Sequence, residues 1–301
     1  MNIKTHLLPI FFVIATLILL SACHQKQEEQ IENKHQQEKN TSKGRAYMER
    51  QWGEDDIRLD SVLQEATSFA KRHIGKDTMF RVAYEATPDT SHSVSVTIAF
   101  DHFFSKKSKH LIIRREGVHA VGVEQETAIM IYTNIYAIDE NKQLSEVLAH
   151  DQWDMEYVSD TIRDINGDGR KDFTVNFYGV NGCCLKSFSV VYLLRADYKG
   201  FSDGNEFINP TFSPKEGVVR GVRYGHPKET EMYKFKWHRE SLDTIEYLFF
   251  QQDENGKYTG KFIRAPKLNF ELSSKDKIDI LDAPPKEYES IYGFNWFMGD
   301  F

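Results

Sequence analysis

The chain has 301 residues and a formal net charge of −7, and 28% of its residues are charged. This acidic composition offers no basic surface for a nucleic acid, so the predicted partners do not include nucleic acid. The length suits one large domain or two small ones, and three cysteines are too few for a disulfide framework.

The N-terminal segment has the layout of an export signal. Lys4 precedes an apolar stretch at residues 7–20, which is too short to cross the roughly 30 Å hydrocarbon core of a bilayer as a helix. Residues 20–23 read Leu-Ser-Ala-Cys and resemble the lipobox of bacterial lipoproteins. This resemblance implies cleavage after residue 22 and lipidation of Cys23. We therefore predict a signal peptide at residues 1–22 and a lipid-anchored protein of the cell envelope, with an uncleaved signal anchor as the alternative.

The segment from Cys23 to residue 45 is almost wholly polar, with Ile31 as its only large apolar residue. Such a segment cannot bury enough apolar surface to offset the entropy lost on ordering. We predict a tether here, followed by a globular domain at residues 46–301. Residue 24 is His and not the Asp that retains enterobacterial lipoproteins in the inner membrane, so the outer membrane is favoured, on its periplasmic or surface face.

One amphipathic helix is predicted near the start of the globular domain. Apolar side chains recur at helical spacing from Val62 to Ile74, and Ser61 with Gln64 forms a capping-box pattern. Gly75 follows the last turn, where glycine commonly ends a helix. The apolar stripe predicts a helix that packs on a neighbouring layer.

After this helix the pattern changes to the alternation that is typical of β-strands, first at residues 94–100. Further predicted strands, separated by polar turns, lie at 111–114, 127–138, 173–178, 188–194, 218–224, 232–237, 244–251 and 258–264. Short strands at this spacing predict a mainly β fold, α+β by strict count. The predicted architecture is an antiparallel β sandwich, a barrel or a small propeller-like domain. A subdomain seam is predicted near Trp153.

The C-terminal run at residues 292–297 is dense in aromatic side chains. Because aromatic rings bury large apolar areas, we predict that this run closes the core as a last docked segment. A carbohydrate-binding platform is the alternative.

The run at residues 164–172 reads DINGDGRKD and predicts a calcium loop. Calcium takes about six to eight oxygen ligands, and a short loop supplies them from alternate positions, with glycine where the chain turns sharply. The predicted ligands are Asp164, Asn166, Asp168, the backbone carbonyl of Arg170, and Asp172. We predict a structural role for bound calcium. The ion would neutralise the clustered carboxylates and so relieve the repulsion between them in the folded loop. An Asx-rich turn that binds no ion is the alternative.

The position of the bidentate glutamate of an EF-hand is occupied by Val175, which excludes a standard EF-hand. A loop of the form Asp-x-Asn-x-Asp-Gly-x-x-Asp that leads into a strand instead resembles those of integrin-repeat (FG-GAP) and VCBS proteins. The segment from Tyr157 to Arg264, with the loop and then residues 179–182 (Gly-Val-Asn-Gly), is similar to bacterial periplasmic lipoproteins related to a Xanthomonas inhibitor of peptidoglycan-hydrolase effectors. This resemblance implies the same five ligands, and an inhibitor of a cell-wall hydrolase as one function.

Cys183 and Cys184 are adjacent, and they are the only cysteines left once Cys23 carries lipid. An export compartment permits a bond between them. The alternative is two free thiols that face opposite sides of a strand end. A redox pair would show Cys-x-x-Cys beside a helix start, and that pattern is missing.

No catalytic residue is predicted. The histidines form no zinc-hydrolase pattern, and the sequence contains no Gly-x-Ser-x-Gly elbow and no phosphate-binding glycine loop. The leading prediction is a non-enzymatic lipoprotein whose calcium-stapled β domain binds a protein or glycan. The alternatives are an inhibitor or immunity protein against a cell-wall hydrolase, and a carbohydrate-active enzyme with scattered carboxylates.

Overall fold

The computed structural model describes residues 60–75, 78–88, 93–121, 126–180 and 182–300. The predicted signal peptide, Cys23 and the predicted tether lie outside these ranges. Within them, no helix has both the length and the apolar character needed to cross a bilayer. One compact unit comprises residues 59–119 and 127–301, and the other, residues 1–58 and 120–126, lies almost wholly outside the described residues.

Fifteen strands in the described ranges form three antiparallel sheets, and each sheet is a meander of strands that are consecutive in the chain. The first sheet contains β1 to β5: Phe80–Ala86, Val94–Ser105, Ser108–Val121, Glu126–Ile138 and Leu144–Trp153. The second contains β6 to β9: Tyr157–Arg163, Asp172–Tyr178, Ser187–Tyr192 and Asn205–Ile208. The third contains β10 to β15: Pro210–Ser213, Val218–Val222, Met232–His238, Ser241–Gln252, Tyr258–Ala265 and Asp279–Leu281.

Helices flank this series of sheets in the chain. Helix α1 spans residues 60–74 and precedes the first sheet, while helix α2, Phe294–Met298, follows the third. Two short 3-10 helices lie at Asn269–Glu271 and Lys286–Tyr288. The predicted fold class, mainly β and antiparallel with one N-terminal amphipathic helix, is therefore confirmed. The described strands do not close into a barrel.

Helix α1 covers one face of the first sheet. Ala66, Ala70 and Ile74 of α1 share a fully buried cluster with Val96 and Ile98 of β2. The helical stripe and the strand alternation thus bury the same apolar residues that define them in the sequence.

The second sheet packs between the other two. Tyr192 lies against the cluster that contains Phe104 and Ile135 of the first sheet, whereas Val191 shares a cluster with Val219 of the third. Because successive side chains of a strand point to opposite faces, β8 contributes to both cores. The first sheet ends at Trp153 and the second begins at Tyr157, while residues on both sides of Trp153 belong to the same compact unit. A subdomain seam near Trp153 stays a prediction.

The C-terminal segment covers the outer face of the third sheet. Tyr288 and Phe297 are fully buried and share a cluster with Met232 and Leu248. Phe297 therefore closes the core as predicted, whereas Tyr292 of the same aromatic run is 46% exposed.

Asn209 joins the second sheet to the third. It is fully buried, and its Nδ2 donates hydrogen bonds to the carbonyl oxygens of Leu185 and Val222, each at 2.9 Å. Its Oδ1 accepts a hydrogen bond from the backbone N–H of Ser187 at 2.9 Å. These bonds hold the loop between β7 and β8 against the end of β11.

Candidate functional site

The predicted calcium loop joins β6 to β7 at one end of the second sheet. Gly167 and Gly169 both have a φ of 84°, a left-handed conformation that glycine adopts without steric cost. A Cβ on Gly167 would lie 2.0 Å from the backbone oxygen of Pro214, so the loop packs closely against the turn between β10 and β11. The backbone conformation explains both glycines of the pattern.

Asp164 and Asp168 organise the loop by accepting backbone hydrogen bonds. Asp164 accepts from the N–H groups of Gly167, at 2.7 Å, and Gly169, at 2.9 Å. Asp168 Oδ1 accepts from the N–H of Arg170 at 2.9 Å. A carboxylate oxygen has two lone pairs, so one accepted amide leaves a lone pair that can bind an ion. The geometry fits both a cation loop and a self-contained Asx turn.

Asn166 and Arg170 contact Asp168. Asn166 Oδ1 accepts from the N–H of Asp168 at 3.1 Å, and Asn166 Nδ2 donates to Asp168 Oδ2 at 3.0 Å. The Arg170 guanidinium pairs with the same carboxylate, and its Nε donates to the carbonyl of Leu194 at 2.9 Å. A positive charge therefore already lies beside Asp168. A calcium ion in the loop would compete with this guanidinium for the carboxylate.

Asp172 is buried beneath the loop. Its Oδ2 accepts from the N–H of Ile165 and its Oδ1 from the N–H of Leu194, both at 2.9 Å. Burial raises the pKa of Asp172 to about 7; the two amides oppose this rise, and the charges of Asp168 and Asp164 add to it. A cation in the loop would lower this pKa, because it favours the charged carboxylate. Asp172 also connects the loop to the segment that follows β8.

The three carboxylates of the loop do not form a tight cluster. In the part of the chain that the structure describes, one group of at least three metal-ligating side chains has all its donor atoms within 4.8 Å of one another, and it consists of Cys183, Cys184 and His226. Calcium binding by the loop stays a prediction.

Both cysteines of this second cluster are free thiols that face His226. Cys183 Sγ lies 3.8 Å from His226 Nε2, and Cys184 Sγ lies 3.8 Å from His226 Nδ1. The sequence does not show that His226 lies beside the cysteines, because 42 residues separate it from Cys184. Its position in a turn between two predicted strands was the only signal in the sequence.

The surroundings of Cys183 favour its thiolate. A hydrogen bond from Cys184, a second from Tyr224 and the positive charge of Lys186 hold the pKa of Cys183 below its usual value. The pKa of Cys184 is raised, chiefly because of the same hydrogen bond with Cys183. Of the two thiols, Cys183 is therefore the one that ionises more readily.

Exposed tyrosines share this end of the sheets. Tyr178 ends β7, and Tyr224 lies in the turn between β11 and β12. Tyr292 lies beside the loop between β7 and β8, because its neighbour Gly293 packs closely against Leu185 of that loop. A Cβ added to Gly293 would lie 2.6 Å from the Leu185 side chain. The exposed fractions of the three tyrosines are 41%, 48% and 46%, in chain order. We call Tyr178, Tyr224 and Tyr292 the tyrosine edge.

The calcium loop and the tyrosine edge lie at opposite ends of β7. This strand runs from Asp172, under the loop, to Tyr178, and its seven residues span about 20 Å. An ion in the predicted calcium loop would therefore lie too far from Tyr178 to contact it.

Comparisons of this chain with models of protein families, with curated proteins and with solved structures find no match. The resemblance to lipoproteins with a calcium loop rests on the residues of the lipobox and of the loop.

Proposed function

We propose that the chain is a non-enzymatic lipoprotein of the bacterial cell envelope, held at the outer membrane through Cys23. Its β domain binds a protein or glycan partner and is stabilised by calcium in the loop at residues 164–172. The observation that carries the binding role is the tyrosine edge, because exposed tyrosines on a folded scaffold supply flat apolar area together with a hydroxyl group. Such side chains lose little conformational entropy when a partner orders them.

The backbone that carries the tyrosine edge is well held. The N–H of Tyr178 donates to the carbonyl of Glu156 at 2.7 Å, and the N–H of Tyr292 donates to Thr211 Oγ1 at 2.8 Å. The carbonyl of Gly225, next to Tyr224, accepts a hydrogen bond from the Trp296 indole at 2.9 Å. A preorganised surface loses less freedom on binding, which favours affinity.

Calcium contributes to this proposal through stability. A ligand that binds only the folded state stabilises that state by mass action. Millimolar calcium outside the cytoplasm suffices even for a weak site. The proposed role of the calcium loop is therefore to keep the second sheet folded in the envelope.

The experiment that tests the binding role compares two surface variants of the full-length chain. Tyr178→Ser combined with Tyr292→Ser should weaken retention on envelope glycans, peptidoglycan or cross-linked envelope proteins by about tenfold, which corresponds to about 1.4 kcal/mol. The matched control is Phe270→Ser, which removes an aromatic ring that is 77% exposed elsewhere on the surface.

Equal retention of the two variants would contradict a binding role for the tyrosine edge. Hydrolysis of peptidoglycan strands or other envelope glycans by the purified chain in calcium would contradict the non-enzymatic role.

A further inference from the structure

The cluster of Cys183, Cys184 and His226 has the donor set of a site for a soft metal ion. Thiolate sulfur and imidazole nitrogen are ligands that Zn²⁺ and Cu⁺ select, whereas Ca²⁺ and Mg²⁺ select oxygen. We propose that these three side chains bind one Zn²⁺ or Cu⁺ ion. This site is separate from the calcium loop and does not depend on a partner at the tyrosine edge.

The donor atoms lie close enough together to surround a single ion, because one ligand atom from each of the three residues lies within 4.8 Å of the other two. Cys183 Sγ lies 3.8 Å from His226 Nε2 and Cys184 Sγ lies 3.8 Å from His226 Nδ1, and one ion would use one of these two nitrogens. An ion about 2.3 Å from sulfur and about 2.0 Å from nitrogen places the two atoms about 3.5 Å apart at the tetrahedral angle and about 3.7 Å apart at the trigonal angle. An exposed His226 ring needs only a rotation to direct one nitrogen at the ion.

The backbone places both sulfurs on the same side. Adjacent residues of a regular strand point to opposite faces, which would separate the two thiols. Here Gly182 has a φ of 92° and Cys184 a φ of 74°, so the chain turns at the pair. A left-handed conformation is unfavourable for a residue other than glycine, and here it accompanies the convergence of both thiols on His226.

The two segments that carry the ligands are held together by other contacts. Asn209 bonds to Leu185, one residue after Cys184, and to Val222 at the end of β11. The carbonyl of His226 accepts hydrogen bonds from the N–H groups of two residues of its own turn, Glu229 and Thr230, both at 3.1 Å. The donor set is therefore prearranged before any ion binds.

A positive charge lies beside the cysteines. Lys186 is buried, and its ammonium donates a hydrogen bond to the carbonyl of Gly182 at 3.1 Å. This ammonium offsets part of the negative charge that two thiolate ligands would bring to the site.

The site is open to solvent. Cys183 and His226 are exposed and Cys184 is half-buried. Structural zinc sites have four protein ligands, whereas sites with three leave a position for water or another donor. A bound ion would therefore be exchangeable and would have a free position for water or for a donor from a partner.

The test uses the full-length chain with Cys23→Ser, so that Cys183 and Cys184 are its only thiols, kept reduced. Titration with Co²⁺ should produce thiolate-to-cobalt absorption that saturates at one equivalent. Competition with chromogenic chelators then measures affinity for Zn²⁺ and for Cu⁺ in separate arms, which identifies the preferred ion. Added Ca²⁺ or Mg²⁺ should leave the absorption unchanged.

Ligand variants define the donor set. Cys183→Ser, Cys184→Ser and His226→Gln should each weaken binding of the preferred ion by at least about tenfold. The matched control His238→Gln, which replaces the exposed histidine at the end of β12, should bind like the parent. Thermal unfolding of each variant checks its fold. Reversible methylthiolation of the parent thiols should abolish binding, and reduction should restore it.

Three results would overturn the proposal. The first is the absence of Zn²⁺ and Cu⁺ binding by the reduced parent chain. The second is binding that survives the double substitution of Cys183 and Cys184. The third is an unchanged affinity in His226→Gln, which would remove the histidine from the ligand set.

Discussion

Acidic side chains of the predicted calcium loop order the backbone around them. Asp164 accepts two amides of the loop, and the buried Asp172 accepts one amide from the loop and one from Leu194, which follows β8. Carboxylates that accept backbone N–H groups order a turn without a metal. The same acidic residues therefore explain both the turn and the predicted affinity for calcium, and only a measurement with calcium separates the two roles.

Alanine should be tolerated much less at Gly167 than at Gly169. Both positions have a φ of 84°, so the backbone conformation costs about 1–2 kcal/mol in each variant. Only at Gly167 does the new Cβ meet another atom, the Pro214 oxygen at 2.0 Å; nothing lies within 4 Å at Gly169. Urea unfolding should show that Gly167→Ala loses about 2 kcal/mol more than Gly169→Ala. Equal losses would contradict the close packing of the loop.

At the level of elements, alternation predicted some strands and missed others. In β2, Val94, Val96, Ile98 and Phe100 alternate with smaller or polar residues and are buried in the cluster that contains α1. The strands β1 and β5 were not predicted, although exposure also alternates along β1. The strands β9 and β10 have four residues each, too few to show a period. Tyr157–Arg163 was also not predicted, because this strand mixes polar and apolar side chains and most of them are only partly buried.

The connection between β9 and β10 depends on Asn209. Replacement by alanine leaves the carbonyls of Leu185 and Val222 and the N–H of Ser187 without this partner. Each unpaired buried group costs about 1–3 kcal/mol, so Asn209→Ala should lose about 3 kcal/mol or more in urea unfolding.

Asn209→Gly is the matched control for the backbone at this position. Asn209 has a φ of 49°, so glycine relieves the strain that alanine introduces but restores no side-chain hydrogen bond. Glycine should therefore recover only about 1 kcal/mol of the loss in Asn209→Ala. A glycine variant as stable as the parent would show that the side-chain bonds contribute nothing to the junction of the second and third sheets.

In the described part of the chain, the three sheets pack in series, with the second sheet in the middle. It shares one apolar cluster with the first sheet and another with the third. Loss of structure in the second sheet would expose both clusters to water. A ligand that stabilises the second sheet should therefore stabilise the rest of the stack.

Calcium should raise the thermal unfolding midpoint of the full-length chain, relative to EDTA and more than magnesium does. At about 100 times its dissociation constant, a ligand of the folded state adds about 2.7 kcal/mol. Asp168→Ala should abolish the rise.

The matched control for this substitution is Asp253→Ala. Asp253 accepts two backbone amides in the turn between β13 and β14 but lies outside the calcium pattern, so its variant should retain the response. If calcium did not change the unfolding midpoint of the parent chain, the loop would be an Asx turn that binds no calcium.

The sequence by itself determined the mainly β class, the N-terminal amphipathic helix and the glycine positions of the loop. These features depend on periodicity and on short-range spacing, which the chain carries locally. The lipid anchor, the calcium ion and the partner remain predictions from the same local patterns. Only the tertiary structure decided that Cys183 and Cys184 meet His226, that Asn209 joins two sheets and that three distant tyrosines share one edge. Such contacts depend on how separate strands pack, and residues far apart in the chain carry no local record of that packing.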